Sequence, residues 1–178
     1  MNSKDTRYTQ YALVREMLEL PSVVEKFDTH RADDVAERIR RQGRLFLTGE
    51  GSSRIFPAKN ARRKALTWGL NLEIQIDGAC QAAAYDLSKF VVFAASNSGR
   101  TREVIALMKR LQAAGHQDRY GLTANENTLL ESVSAKTYVL QCGWEMAVAA
   151  TKSAAEQALF YQSLICRVAG RDMAHDLK

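Results

Sequence analysis

From residue 44 onward the chain alternates between two periodicities. Strand-like runs at 45–48, 72–76, 90–95, 120–123 and 137–140 are each followed by a helical pattern, at 53–70, 79–85, 101–114, 126–132 and 145–168. Parallel strands cannot be joined by a tight turn, so strand-then-helix repetition argues a parallel sheet with crossover helices. The run Phe90, Val91, Val92, Phe93, Ala94, Ala95 is apolar without alternation, as expected of a central strand buried on both faces. The expected fold is a three-layer α/β/α sandwich around a five-stranded parallel sheet in flavodoxin-like order. Upstream, 8–20, 23–27 and 33–42 read as helices, with Pro21 closing the first and Gly43 stopping the last. Residues 1–43 are therefore expected as N-terminal helices packing on a unit of residues 44–178, and 178 residues suffice to bury one core.

Composition excludes more than it selects. No apolar run approaches the ~20 residues of a membrane span, and residues 1–7 lack the apolar stretch of a secretory signal. Cys80, Cys142 and Cys166 show no metal-ligand or paired spacing, so reduced thiols in a cytoplasmic protein are expected, with no metal and no cofactor. The net charge is +5. The basic clusters at 38–44 and 62–64 recur at helical spacing among acidic and apolar residues, which reads as solvated helix faces rather than a nucleic-acid surface. A mild positive field also suits an anionic small substrate.

Two strand-to-helix junctions carry the chemical signal. Residues 96–101 (Ser96, Asn97, Ser98, Gly99, Arg100, Thr101) follow the third strand, and Gly49, Glu50, Gly51, Ser52, Ser53 follow the first. In an open parallel sheet, ligands bind beyond the strand carboxyl ends where strand order reverses, which for a flavodoxin-like order lies between strands one and three. Both loops fall there. Hydroxyls and free N–H groups at such a junction suit an anion. No GxxxxGK[ST] pattern occurs, so a phosphate monoester fits better than a nucleoside triphosphate. Ser52 and Ser53 as plain helix caps, and 96–101 as a polar turn with a Thr cap, are the blander readings. Gly51 speaks against the first of these, since a missing side chain lets a ligand approach the backbone.

A third segment, residues 143–153, opens the last predicted helix. Glu145 near a helix start is favourable in any protein, and Lys152 with Glu156 has the spacing of a surface helical ion pair.

Together these segments resemble the SIS (sugar isomerase) domain family, over residues 11–169. The resemblance rests on the helix-then-Pro entry from Glu16 to Val24, the Gly51, Ser52, Ser53 loop, the S-x-S-G-x-T signature at 96–101 and the E-x-x-V-A-x-T-K segment at 145–152. It is nearest to the first of the two tandem SIS domains of glutamine–fructose-6-phosphate aminotransferases and of their deaminase and deglycase relatives. The resemblance implies that Ser96, Ser98 and Thr101 donate hydroxyls to a sugar phosphate and that Asn97 adds its N–H and amide. It further implies that Gly51, Ser52 and Ser53 touch phosphate and sugar, that Val148 turns its backbone to the sugar, and that Glu145 matches a family glutamate. The implied partner is a sugar phosphate of the fructose 6-phosphate or glucosamine 6-phosphate class, and the implied assembly is a homodimer or larger.

The sequence departs from that pattern at Ala150, where the aminotransferases have Ser, at Arg100, and at Glu50, which brings a negative charge beside the first loop. Residues matching the relatives' catalytic glutamate, ring-opening histidine and C-terminal lysine are absent. The expected function is a sugar-phosphate isomerase, or a related deaminase or deglycase, acting at C1–C2; a binding module or one half of a two-domain enzyme is the alternative. Glu145 is the candidate base, with His30, His116 and His175 as the other groups titrating near neutrality.

Overall fold

The computed structural model describes residues 5–175, without the side chains of Arg54 and His175. The chain runs α1 (Thr6–Thr9), α2 (Ala12–Leu18), α3 (Leu20–Glu25), α4 (Asp33–Gln42), β1 (Arg44–Gly49), a π-helical turn (Arg54–Ala58), α5 (Lys59–Thr67), β2 (Glu73–Asp77), α6 (Ala79–Ala82), β3 (Val91–Ala95), α7 (Arg102–Ala113), β4 (Arg119–Thr123), α8 (Leu129–Val133), β5 (Lys136–Val139) and α9 (Lys152–Val168), closed by a 3₁₀ turn (Met173–His175). The five strands form one sheet in the order β2-β1-β3-β4-β5, and every neighbouring pair is parallel. This is the flavodoxin-like α/β architecture the alternation predicts. The order reverses at β1 and β3, whose carboxyl ends sit side by side with Gly49 opposite Ala95.

Alternation along the strands divides the core in two. Leu45, Leu47, Val91, Phe93 and Ala95 face Val35 and Ile39 of α4, Ala61 and Ala65 of α5, and Phe160, Tyr161, Leu164 and Ile165 of α9. Phe46, Val92 and Ala94 face Ala79 and Ala82 of α6, Val104, Leu107, Met108 and Leu111 of α7, and Leu130 and Val133 of α8. Val91, Val92, Phe93 and Ala94 are fully buried, so the unbroken apolar run is the signature of a strand covered on both sides. The arginines of α4 are paired within the chain: Arg38 with Asp118, and Arg40 with Glu37. No helix among the described residues is long and apolar enough to cross a membrane.

Several predicted helices differ in extent; those expected at 79–85 and 126–132 are the shorter α6 and α8. The first breaks after Thr9 and resumes at Ala12. The helix after β1 is not uniform, because Pro57 sits inside it. Proline has no N–H to give the carbonyl four residues back and its ring pushes the turn open. That carbonyl belongs to Ser53, and the Gln157 amide of α9 donates to it at 2.8 Å. The last helix begins at Lys152 rather than near Glu145, leaving residues 140–151 as a long irregular strap after β5.

Candidate functional site

The loop at 96–101 is braced from within and behind. The Ser96 and Thr101 hydroxyls lie 2.7 Å apart in one hydrogen bond, and the Thr101 N–H donates to Ser96 Oγ at 3.3 Å. The Asn97 carbonyl accepts from Thr123 Oγ1, Asn125 Nδ2 and the Ala124 N–H. Gly99 takes φ +61°, and a Cβ there would lie 2.3 Å from that of Thr128, so only glycine fits both the left-handed backbone and the space. Thr101 is the N-cap of the twelve-residue α7, and no side chain caps that helix. Its first-turn N–H groups and positive dipole end therefore face the carboxyl edge of the sheet without a side-chain cap; Glu103, the acidic residue of that turn, is exposed.

The first loop faces the second across the switch point. Ser52, Ser53, Ser96, Asn97, Ser98 and Thr101, with Val148, Ala149 and Ala150 of the strap, line one open cleft of about 300 Å³. A second hollow of about 220 Å³ adjoins it, sharing Asn97, Ser98, Val148 and Ala150 and adding Asn125, Trp144 and Glu145. Gly51 is not on the cleft wall. It takes φ +57° with open space beside it, so here glycine serves the turn. Ser98 is exposed, whereas the buried Ser96 spends its hydroxyl on Thr101. Glu50 also lines the first cleft, and its carboxylate accepts the Ala79 N–H at the start of α6 at 3.0 Å. No His, Lys or Arg is among the described residues lining either hollow, so the donors there are neutral, and they share the lining with the carboxylates of Glu50 in the first and Glu145 in the second.

Glu145 lies in the strap, not on a helix, and reaches forward to cap α9. It accepts the N–H groups of Thr151 and Ser153, both at 2.9 Å, and the Thr151 and Ser153 hydroxyls at 2.8 and 2.5 Å. Burial alone would raise its carboxyl; the hydrogen bonds from Ser153 and Thr151 outweigh it and hold the group below the ordinary glutamate value. Ser153 also accepts from Asn97 Nδ2 at 2.7 Å. A continuous hydrogen-bonded path thus joins the 96–101 loop, α9 and the strap. The start of α9 is thus capped by a carboxylate from the strap, whereas the start of α7 has no side-chain cap.

The N-terminal helices hold the strap from the other side. Glu16 and Glu19 of the α2 region contact Met146, Ala147, Thr151 and Lys152. The sequence assigns these glutamates no role beyond the helical entry; their one visible signal is a pair of acidic residues in an otherwise apolar stretch. The expected Lys152–Glu156 pair does not form. Lys152 bonds Glu19 at 2.6 Å, and Glu156 bonds Arg31 at 2.7 Å, because both residues face inward from α9 with almost no exposure. Asn125 and the strap residues Trp144 and Ala149 are cleft residues the sequence reading does not single out.

His30 and His116 stand apart from both hollows. His30 pairs with Asp33 at 3.1 Å. His116 follows α7 at the opposite edge of the sheet, where burial lowers its imidazole below the ordinary value. The side chain of His175 and residues 176–178 lie outside the described residues. Among the described residues, no group of His, Cys, Asp or Glu is placed to hold a metal ion.

No protein-family model matches the sequence. No curated protein matches it. Solved structures do. A candidate phosphosugar isomerase from Silicibacter pomeroyi DSS-3 superposes at a TM-score of 0.74 with 25% identity, over 93% of this chain and 52% of that one. An Escherichia coli CFT073 protein, solved in complex with a ligand, gives 0.73 with 18% identity, over 96% and 93% of the two chains. Glucosamine-6-phosphate deaminase from Thermotoga maritima gives 0.71 with 22% identity, over 96% and 51%. The chain spans about half the length of the first solved structures it matches. It carries the fold of the SIS-type phosphosugar proteins that its motifs resemble.

Proposed function

We propose that the chain binds a sugar phosphate, with the phosphate monoester seated at the N-terminus of α7 and the sugar lying toward the strap. The observation that carries this reading is the contrast between the starts of α7 and α9. Glu145 occupies the start of α9, while α7 opens uncapped onto a cleft of hydroxyls and backbone N–H groups. A helix end of this kind favours an anion by ~0.3–1 kcal/mol, and by about 2 kcal/mol when partly buried. In this reading Ser98, Thr101, Ser52 and Ser53 meet the phosphate, and the strap at Val148 and Ala150 faces the sugar. The phosphosugar proteins that share the fold support the same ligand class.

Sugar-phosphate isomerisation, or a related deamination or deglycation at C1–C2, is the finer proposal. It needs a base to carry a proton between the two carbons. Glu50 lines the first cleft but accepts the Ala79 N–H, and Glu145, on the adjoining hollow, is the carboxylate we assign to that role. Its donors stabilise the ionised form, so it is a weaker base than an ordinary glutamate. Binding without turnover is therefore the second reading. We further propose that the chain pairs with a second copy, supported by the exposed Tyr11, Met17, Trp144, Met146 and Val148 on α2 and the strap.

The test is calorimetry with fructose 6-phosphate and glucosamine 6-phosphate. Ser98→Ala and Thr101→Val should each weaken binding about tenfold, the loss of a hydrogen bond to a charged group. Unchanged affinity in both variants would remove the phosphate from this loop.

A further inference from the structure

We propose that Glu16 is a positioning residue for the sugar-facing strap, holding Val148–Ala150 in place from the N-terminal helix α2. The proposal rests on the sugar-phosphate reading of the cleft. The strap between β5 and α9 has no regular secondary structure; Leu140 and Cys142 at its start are buried in the core, but beyond them its large apolar side chains, Trp144, Met146 and Val148, are exposed. Apolar burial by those side chains therefore cannot fix its path.

Buried carboxylates fix it instead. At its start, the Gln141 N–H donates to both oxygens of Glu156, at 2.8 and 2.7 Å. At its end, Glu145 gathers Thr151 and Ser153. In the middle, Glu16 Oε1 accepts the N–H groups of Met146 at 2.5 Å and Ala147 at 3.0 Å. Glu16 Oε2 lies 2.8 Å from Thr151 Oγ1, and the same hydroxyl is 2.8 Å from Glu145. A hydroxyl has one proton to donate, so it serves one carboxylate at a time. The backbone N–H groups thus carry the attachment of the strap to Glu16.

Glu16 is 5% exposed and comes from a helix that is otherwise largely open to solvent. Burying a carboxylate there is unfavourable unless donors compensate, and the donors it has are on the strap. Burial by itself raises its carboxyl; the Met146, Thr151 and Ala147 donors bring it below the ordinary value. Val148 and Ala150, which line both hollows, lie between the Ala147 N–H that Glu16 holds and the Thr151 that both glutamates contact. The phosphate end of the cleft, by contrast, is braced directly by Thr123, Asn125 and Thr128, and Glu16 reaches it only at a remove, through Thr151, Glu145, Ser153 and Asn97. Glu16 should therefore act on the sugar end far more than on the phosphate end.

The experiment compares Glu16→Ala and Glu16→Gln with the unaltered chain, measuring affinity for glucosamine 6-phosphate, affinity for inorganic phosphate and amide hydrogen exchange. Glu16→Ala should weaken the sugar phosphate about tenfold while inorganic phosphate stays within about twofold, and the Met146 and Ala147 amides should exchange about tenfold faster. Glu16→Gln should restore most of the affinity, since its carbonyl oxygen still accepts both N–H groups. Equal weakening of both ligands, or unchanged sugar-phosphate affinity, overturns the proposal. If the unaltered chain binds neither ligand, the cleft reading fails separately, and unchanged protection of the Met146 and Ala147 amides in Glu16→Ala overturns the tether on its own.

Discussion

Gly99→Ala should be among the most damaging single-methyl additions available in this chain. Two independent costs meet at that position. The backbone has φ +61°, where an L side chain is disfavoured by ~1–2 kcal/mol. The new Cβ would also stand 2.3 Å from Thr128 Cβ and 2.4 Å from its Oγ1, far inside the ~3.5–4.0 Å of relaxed contact. Thr128 cannot simply rotate away. Its N–H and Oγ1 both donate to Glu131 Oε1, at 2.8 and 3.1 Å, as the capping box that starts α8. Overpacking of this kind adds ~1–3 kcal/mol, so the total loss is roughly 2–5 kcal/mol, against ~5–15 kcal/mol for a domain's whole stability. Urea unfolding of Gly99→Ala, Thr128→Gly and the double variant separates the two costs. Thr128→Gly removes the atoms that clash and costs only a few tenths as a cap change. It should recover about 1 kcal/mol or more of the Gly99→Ala loss and leave the backbone part. A Gly99→Ala loss under about 0.5 kcal/mol, or no coupling between the two sites, would refute the claim that the 96–101 loop is held rigid by its fit against α8.

Two further outcomes follow from the buried polar contacts. Gln157→Leu leaves the Ser53 carbonyl without its donor and should cost about 1–3 kcal/mol; Pro57→Ala in the same chain supplies a backbone N–H in range and should return part of that loss in urea unfolding. Glu145 has a folded-state pKa below its unfolded 4.5, so its stabilisation is fully present above that value and is lost as pH falls through the lower folded one. Glu145→Gln should therefore flatten the acid limb of the stability curve, read from urea midpoints between neutral pH and about pH 3; an acid limb as steep as that of the unaltered chain would show that Glu145 is not the titrating cap.

Much of this architecture is legible in the sequence because its signals are local. The unbroken run at 90–95 announces a doubly covered strand, and the two hydroxyl loops fall after the strands that flank the switch point. The predicted sheet order then brings them together, as the shared cleft of Ser52, Ser53, Ser96, Ser98 and Thr101 shows. What escapes the sequence is long-range satisfaction of polar groups. Helical periodicity continues from Glu145 into α9 because the strap is rich in alanine and apolar residues, yet the strap is extended by donors bound to Glu16, 130 residues away. The π-helical turn escapes for the same reason: Pro57 gives a local warning, but the amide that tolerates it lies on α9. The Lys152–Glu156 spacing misleads because helical neighbours pair only when both face solvent, and these two face the N-terminal helices.

In the proposed complex a phosphate ester sits at the open end of α7. Backbone amide shifts on titration with glucosamine 6-phosphate, and separately with glucosamine, test it most directly. A phosphate seated there gives saturable shifts at Ser98, Thr101, Arg102 and Glu103, with Ser52 and Ser53 following, and no comparable binding of the unphosphorylated sugar. Equal binding of glucosamine, or shifts confined to the opposite edge of the sheet near His116, would contradict it.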